Sequence, residues 1–315
     1  MSIWLWNLAQ VGLLIVLAPA VTALVRKFKA RLQNRRGPGL LQPYRDLAKL
    51  FSKQVLLANN ASWLFRLAPY VIFAATVLAA AIIPVFLVPT PFTKTADVIA
   101  LVALLALGRF FTALAAMDVG TAFGGMGASR EMTFAALTEP AILMSVFVLS
   151  MVAQSTNLAT MIDTTLYSGF VLRPSLAFAL VAMLMVMIAE TGRIPVDNPA
   201  THLELTMVHE AMILEYTGRH LALIEWSNQI KLLLFPTLLL NLFFPWGIAT
   251  SITPANLFWA VIFWLVKLSV LYLLLALLET YMAKMRIFRV PEYLGIAFML
   301  ALMGMLTHYI LEVHL

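Results

Sequence analysis

Eight apolar runs, each long enough to cross a bilayer, constrain this chain more than any other feature. They lie at about 3–25, 68–90, 97–118, 131–155, 174–191, 221–246, 255–283 and 291–312. A helix needs roughly 20 apolar residues to span the hydrocarbon core. Inside lipid the backbone has no water to bond, so only helices and closed barrels can cross. These runs are continuous rather than alternating, which argues against a barrel. The expected fold is all-α: a polytopic membrane protein of about eight transmembrane helices, with 1–315 as a single integral membrane domain. Composition agrees, with 62% hydrophobic and 11% charged residues, against about 25% charged in a soluble domain. No polar stretch is long enough to bury a core of its own. The start, MSIWLWNLAQ, lacks the basic n-region and cleavage site of a signal peptide, so the first run is expected to stay as a membrane helix.

Lysine and arginine orient the bundle. Segment 26–66 holds ten of them, and Arg130, Arg193, Arg219, Lys284, Arg286 and Arg289 bring that side to 16. The opposite loops hold only Lys94 and Arg173. Both termini are therefore expected on the outer side, with loops 26–66, 119–130, 192–220 and 284–290 in the cytoplasm. Within the first of these, Tyr44, Leu47, Phe51 and Val55 recur at helical spacing, and Arg45, Lys49 and Lys53 fall on another face. This reads as an amphipathic helix lying in the interface against phospholipid. A solvated helix whose charges only set topology is the alternative. No internal repeat of the kind many transporters carry is visible.

Several charges stand where charge is expensive, at about 2.5–3.5 kcal/mol each near the bilayer centre. They are Arg109, Glu139, Glu190, Lys231, Lys267 and Glu279. Ion pairs between helices would explain them, and Lys284 and Arg286 follow Glu279 closely. Carboxylates and lysines strung through a bundle are also what a proton relay requires. Glu139 precedes Pro140, which removes a backbone donor inside a helix. The freed carbonyl and the carboxylate could share a water, though a plain kink fits equally.

A second polar concentration, IPVDNPATHLELTMVHEAMILEY (194–216), separates the fifth and sixth runs. His209-Glu210 begins like the zincin H-E-x-x-H, but the fifth position is Ile213, so no zinc pair forms. The five histidines are not spread over facing spans as a bis-histidine haem needs. Cysteine is absent, which excludes thiolate-ligated clusters on this chain. No cofactor or metal is expected here, and the basic segment points to topology and lipid headgroups rather than nucleic acid.

The motifs resemble a family. RRGPGLLQPYRDLAKLF (35–51) is similar to the signature after the first helix of the H subunit of respiratory complex I (NADH dehydrogenase subunit 1), with a short stretch missing between GP and GLLQP. That shortened form resembles the membrane anchor of formate hydrogenlyase and hydrogenase-four type energy-converting hydrogenases. GASRE (127–131), Glu139-Pro140 and ETGRIPVD (190–197) resemble the same group, the last matching E-x-x-R-x-P-F-D. The resemblance covers nearly the whole chain. It implies an anchor, non-catalytic alone, that docks a soluble redox arm and couples electron transfer to proton or sodium movement. By position, Glu139 and Glu190 match the intramembrane glutamates and Asp197 the aspartate of P-F-D. Glu204 and Glu215 match acids of the following loop, and Glu225 one at the next helix start. With Arg109, Lys231, Lys267 and Glu279 these form the expected relay. Arg35, Arg36, Gln42, Asp46, Arg130, Arg193 and His202 form the expected docking face.

The departures choose the subgroup. After P-F-D, complex I carries T-E-G-E-S-E. Here Pro199, Ala200, Thr201, His202, Leu203 and Glu204 stand there, and further residues are inserted before Glu215-Tyr216. In complex I that acidic loop borders the quinone cavity, so its dilution favours a hydrogenase anchor over a quinone-site subunit of an NADH:quinone oxidoreductase. The resemblance implies hydrogenase large and small subunits and an iron–sulfur subunit as cytoplasmic partners. They would carry the nickel–iron centre and the clusters. Antiporter-like subunits would lie alongside in a bacterial or archaeal inner membrane. A stand-alone transporter is motivated only by the buried charges. His209 and Glu210 suggest no role beyond docking-surface polarity.

Overall fold

The computed structural model describes residues 3–88, 97–167, 173–197 and 207–312. Lys94, His202 and Glu204 lie outside the described residues. The elements are α1 (Ile3–Leu32), α2 (Gln42–Ser52), α3 (Trp63–Ile82), α4 (Val98–Asp118), α5 (Ala122–Ala153), α6 (Leu158–Tyr167), α7 (Pro174–Glu190), α8 (His209–Ile213), α9 (Gly218–Phe243), α10 (Pro254–Tyr281) and α11 (Val290–Thr307). Among the described residues there are no strands, only two isolated bridges, Leu87 with Ala249 and Asp97 with Asn157. The chain is an all-α, multi-pass membrane protein.

Among the described residues, six helices are long and apolar enough to cross a membrane: α1, α3, α4, α5, α10 and the stretch Ile287–Leu311 that contains α11. The other two expected spans are α7 and α9. α7 is apolar but only 17 residues long. α9 has 26 residues, but Glu225, Asn228, Gln229, Lys231 and Asn241 dilute its hydrophobicity. Helices α5, α7 and α11 pack together, α3 lies on α4 and α9, and α1 on α9 and α10. Most of their apolar faces merge into a core that includes Leu14, Met183, Phe235 and Trp264, and a second cluster around Phe65, Met212 and Tyr216 lies beside α8. The outer face of α10 stays open, with Phe258, Trp259, Val266, Val270 and Leu274 exposed.

Three boundaries differ from the sequence expectation. α5 begins at Ala122, so most of the loop expected at 119–130 is helix, started by the Thr121 hydroxyl accepting from the Gly124 N–H. Glycine is a poor helix former, but a side chain at Gly127 would press on Met212 and the Val208 carbonyl. Close packing against α8 outweighs propensity there. α6 fills part of the expected loop 156–173, burying Leu158, Ala159, Met161 and Ile162. α2 stops at Ser52, so Val55 lies beyond it. Its buried residues, Pro43 and Leu47, pack on protein, against α9 and α1. The Tyr44 hydroxyl donates to the Val16 carbonyl, and the Phe51 ring meets Trp226 edge-on at 6.1 Å.

The α2–α3 connection is locked to the start of α9. Gly218 has φ +55°, and a β-carbon there would sit 2.7 Å from the Gln54 carbonyl oxygen. The left-handed conformation alone costs a non-glycine residue about 1–2 kcal/mol. Gly218→Ala is therefore expected to lose at least that much stability and to loosen the connection. Thermal melting and limited proteolysis of 53–62 check both, and an unchanged melting curve and cleavage pattern would refute them.

The ends of α3 and α9 away from the basic loops are joined by irregular backbone. Residues Val85 to Val88 are buried. The Gln10 side-chain carbonyl accepts from the N–H groups of Val85 and Phe86, at 3.0 and 3.3 Å. The Asn241 amide donates to the carbonyls of Pro84 and Val85, at 2.6 and 2.8 Å. Ala249 N–H donates to Phe86 and its carbonyl accepts from Val88. Backbone at such depth survives only when its polar groups are satisfied by protein.

Candidate functional site

Arg109 projects from the middle of α4, and α5 and α7 bring carboxylates to it. Its Nε lies 3.5 Å from Glu131 and its Nη1 3.3 Å from Glu139. Its Nη2 bonds Glu190 at the end of α7. Glu131 and Glu139 are eight residues apart on one helix, near enough to two turns of 3.6 residues to share a face. The guanidinium fork, planar with several donors, suits such a multiple partnership. Arg109 is only 7% exposed and the Glu190 side chain is buried beside it, while Glu131 and Glu139 are partly exposed.

The cluster forms one wall of a cavity of about 190 Å³ that reaches the basic end of the bundle. Its lining combines Arg26, Arg109, Arg193 and Lys231 with Glu131, Glu190, Asp197, Glu210 and Glu225. His209 and Asn228 close the side under α8, bonded to each other at 2.7 Å. A site this polar and roomy can hold a chain of ordered waters.

A second set of pairs braces the rim. Glu279, buried on α10, lies 3.0 Å from Lys29 on α1 and 3.4 Å from Arg193. Asp197 pairs with Lys284 at 2.6 Å. The Met285 N–H donates to the Pro195 carbonyl at 2.9 Å, tying the turn after α7 to the turn after α10.

The structure thus gathers Arg109, Glu190, Asp197, Glu225 and Lys231 of the expected relay around one space, with Glu139, paired to Arg109, and Glu279, paired to Arg193, each one contact away. Glu215 stays outside, exposed at the surface. Lys267 also stands apart, its ammonium donating to the carbonyls of Phe244 and Trp246, both at 3.0 Å. Of the expected docking residues, Arg35, Arg36, Gln42 and Asp46 are exposed, and the Gln42 amide donates to Asp46 at 2.9 Å. Arg130 and Arg193 are turned inward. Arg130 donates to the Met207 carbonyl at 2.9 Å, and Arg193 reaches Glu279.

Sequence reasoning passed over Glu131 and gave His209 and Glu210 no role beyond docking-surface polarity. Glu131 stood at the edge of an apolar run, and its spacing from Glu139 was the available signal. His209 and Glu210 line the cavity rather than a docking surface, because α8 folds back over α5. Burial is the largest force on both. It lowers the His209 pKa, helped by Lys231, and raises the Glu210 carboxyl to about 7, helped by Glu225 and Asp197 and opposed by Arg26.

The sign for Glu210 follows from linkage. Its folded value of about 7 exceeds the ordinary 4.5, so burial favours the protonated acid. The contribution of Glu210 to stability is full below pH 4.5, falls as pH rises, and is gone above about 7. Glu210→Gln should remove that dependence. The melting-temperature difference between wild type and Glu210→Gln should therefore grow, to the variant's advantage, from pH 5 to 8. Parallel curves across that range would contradict the assignment.

Among the described residues, no group of three histidine or acidic side chains is arranged to hold a metal ion. Charged side chains thus line a space between the middle of this membrane protein and its basic end. The chain belongs to the NADH dehydrogenase family, whose pattern matches residues 6–309. It is 35% identical to hydrogenase-4 component C of Escherichia coli (strain K12) over 297 residues, covering 94% of this chain and 93% of that one. It is 35% identical to formate hydrogenlyase subunit 4 of the same organism, covering 91% and 93%. NADH-ubiquinone oxidoreductase chain 1 of Hyaloraphidium curvatum is 31% identical over 247 residues, covering 74% of this chain and 80% of that one. The same fold occurs in a solved archaeal respiratory membrane complex, the membrane-bound sulfane sulfur reductase. One of its chains superposes with a TM-score of 0.80 at 18% identity, covering 97% of this chain and 99% of that one.

Proposed function

We propose that this protein is the membrane anchor and coupling subunit of a multisubunit nickel–iron hydrogenase of the formate hydrogenlyase type. It docks the soluble redox arm at its basic end and links electron transfer to proton or sodium movement. The observation that carries this reading is the continuous charged cavity. It joins Glu131 and Glu190 to Asp197, His209 and Glu210 at the face where an arm would sit, with Glu139 reaching it through Arg109. The extended identity to the two hydrogenase-type proteins supports the subgroup. The chain itself carries no cysteine, so hydrogenase large and small subunits and an iron–sulfur subunit would supply the redox centres. Antiporter-like subunits would complete the ion path. Both termini then lie on the outer side of a bacterial or archaeal inner membrane, with the basic loops in the cytoplasm.

Affinity purification of the intact complex tests this, with viologen-linked hydrogen evolution as the readout. A nickel–iron subunit and hydrogen formation are expected. A complex without either would overturn the reading. The similarity to an NADH-ubiquinone oxidoreductase chain favours a second reading, a quinone-site subunit, for which inhibitor-sensitive quinone reduction by the same preparation would be decisive.

A further inference from the structure

Among the described residues, four helices carry an internal proline: Pro19 in α1, Pro69 in α3, Pro140 in α5 and Pro236 in α9. Proline has no N–H, so each one strips the helical hydrogen bond from the carbonyl four residues earlier. Hydrocarbon cannot replace that bond. Three of the four freed carbonyls receive an aromatic donor from a distant part of the chain. The Trp226 indole N–H donates to the Ile15 carbonyl at 3.0 Å. The Tyr216 hydroxyl donates to Phe65 at 3.0 Å, and the Tyr272 hydroxyl to Leu232 at 2.9 Å.

The fourth carbonyl, at Ala136 ahead of Pro140, is different. Among the described residues no side chain donates to it. The hydroxyls beside it on α5, Thr133 and Thr138, donate to Ser129 and Phe134 instead. Ala136 and Pro140 are exposed on the outer face of α5, and Met132, one turn earlier, is 41% exposed. Glu139 is 33% exposed at the edge of this face and does not line the charged cavity. Its carboxylate only accepts and is turned to Arg109, so it cannot serve the carbonyl. That ion pair also fixes the level. Arg109 lies at the middle of α4, and Ala136 is three residues from Glu139, about 4.5 Å along the axis. Headgroups begin about 15 Å from the middle of a hydrocarbon core. A freed acceptor and a partly exposed carboxylate thus sit together deep in the span, facing out of the bundle.

We propose that this patch of α5 is the contact for a transmembrane helix of a partner subunit, which presents a tyrosine or tryptophan donor to the Ala136 carbonyl. Lipid chains carry no donor, so they cannot complete the pattern that the other three prolines follow. The small Ala136 side chain lets a second helix approach the backbone closely. The proposal rests on the chain being one subunit of a membrane complex, as proposed above, but not on that complex being a hydrogenase.

Photo-cross-linking in the intact complex tests this, with a benzophenone amino acid in place of Met132. Irradiation should join the chain to one membrane subunit. Ala136→Phe should block the approach and abolish that product. Pro140→Ala gives the Ala136 carbonyl a donor within α5. It should weaken the partner's retention in detergent about threefold, the mean worth of one hydrogen bond between membrane helices, and it carries the test if Ala136→Phe fails to assemble. An intact complex with no cross-link from 132 to a membrane subunit, or with retention unchanged by Pro140→Ala, would overturn this proposal and leave the hydrogenase reading standing. A cross-linked membrane subunit in a complex without nickel–iron protein would support the contact and overturn that reading instead.

Discussion

Arg109→Met is expected to destabilise the assembled protein by about 3–5 kcal/mol, the range for removing one partner of a buried ion pair. The arginine is the common partner of Glu131, Glu139 and Glu190. Without it, three carboxylates face one another inside the bundle, and desolvation and mutual repulsion act in the same direction. Lysine should rescue only in part, because a point ammonium cannot span three partners as the fork does. Adding Glu190→Gln to Arg109→Met should recover part of the loss, since it removes one stranded charge. That non-additivity separates an electrostatic cluster from simple packing. Thermal melting of the purified complex checks all three variants. A single Arg109→Met that melts like wild type would remove the cluster from the account of stability.

The second large effect is on coupling. Glu139→Gln and Glu190→Gln keep side-chain volume and hydrogen-bonding capacity but cannot take up or release a proton. Under the proposed function each should lower ion translocation about 10²-fold, the lower end of what a positioned proton-transfer group contributes. Electron transfer by the soluble arm should change far less. The measurement is ion uptake into proteoliposomes beside hydrogen evolution from the same preparation. Wild-type translocation in both variants would count against the relay. Loss of both activities in parallel would assign the glutamates to assembly.

The six long apolar helices were legible in the sequence because apolar length is a local property, and so was the helical face at 44–51. Arg109, Glu139 and Glu190 were legible as costly charges, but their partnership was not. Three helices supply the members of that cluster, and their relative rotation is set by packing that no single segment encodes. Glu131 was hidden because it stood at the boundary between the loop expected at 119–130 and the run expected at 131–155, where its helical register with Glu139 was not visible. Glu210 and Lys267 illustrate opposite outcomes. Glu210 gained a cavity from the fold of its short helix. Lys267 gained carbonyl partners because α9 ends beside the middle of α10.

The irregular turn at 83–88 also sets an order of events during synthesis. The N–H groups of Val85 and Phe86 are served by Gln10, already made when the turn emerges. Its carbonyls and the Val88 N–H wait for Asn241 and Ala249, more than 150 residues later in the chain. Until then α3 ends in acceptors that lipid cannot satisfy. The first half of the chain is therefore an unfinished object in the membrane, and the arrival of α9 closes it. Through that one turn, completion of the bundle is read by its earliest helices.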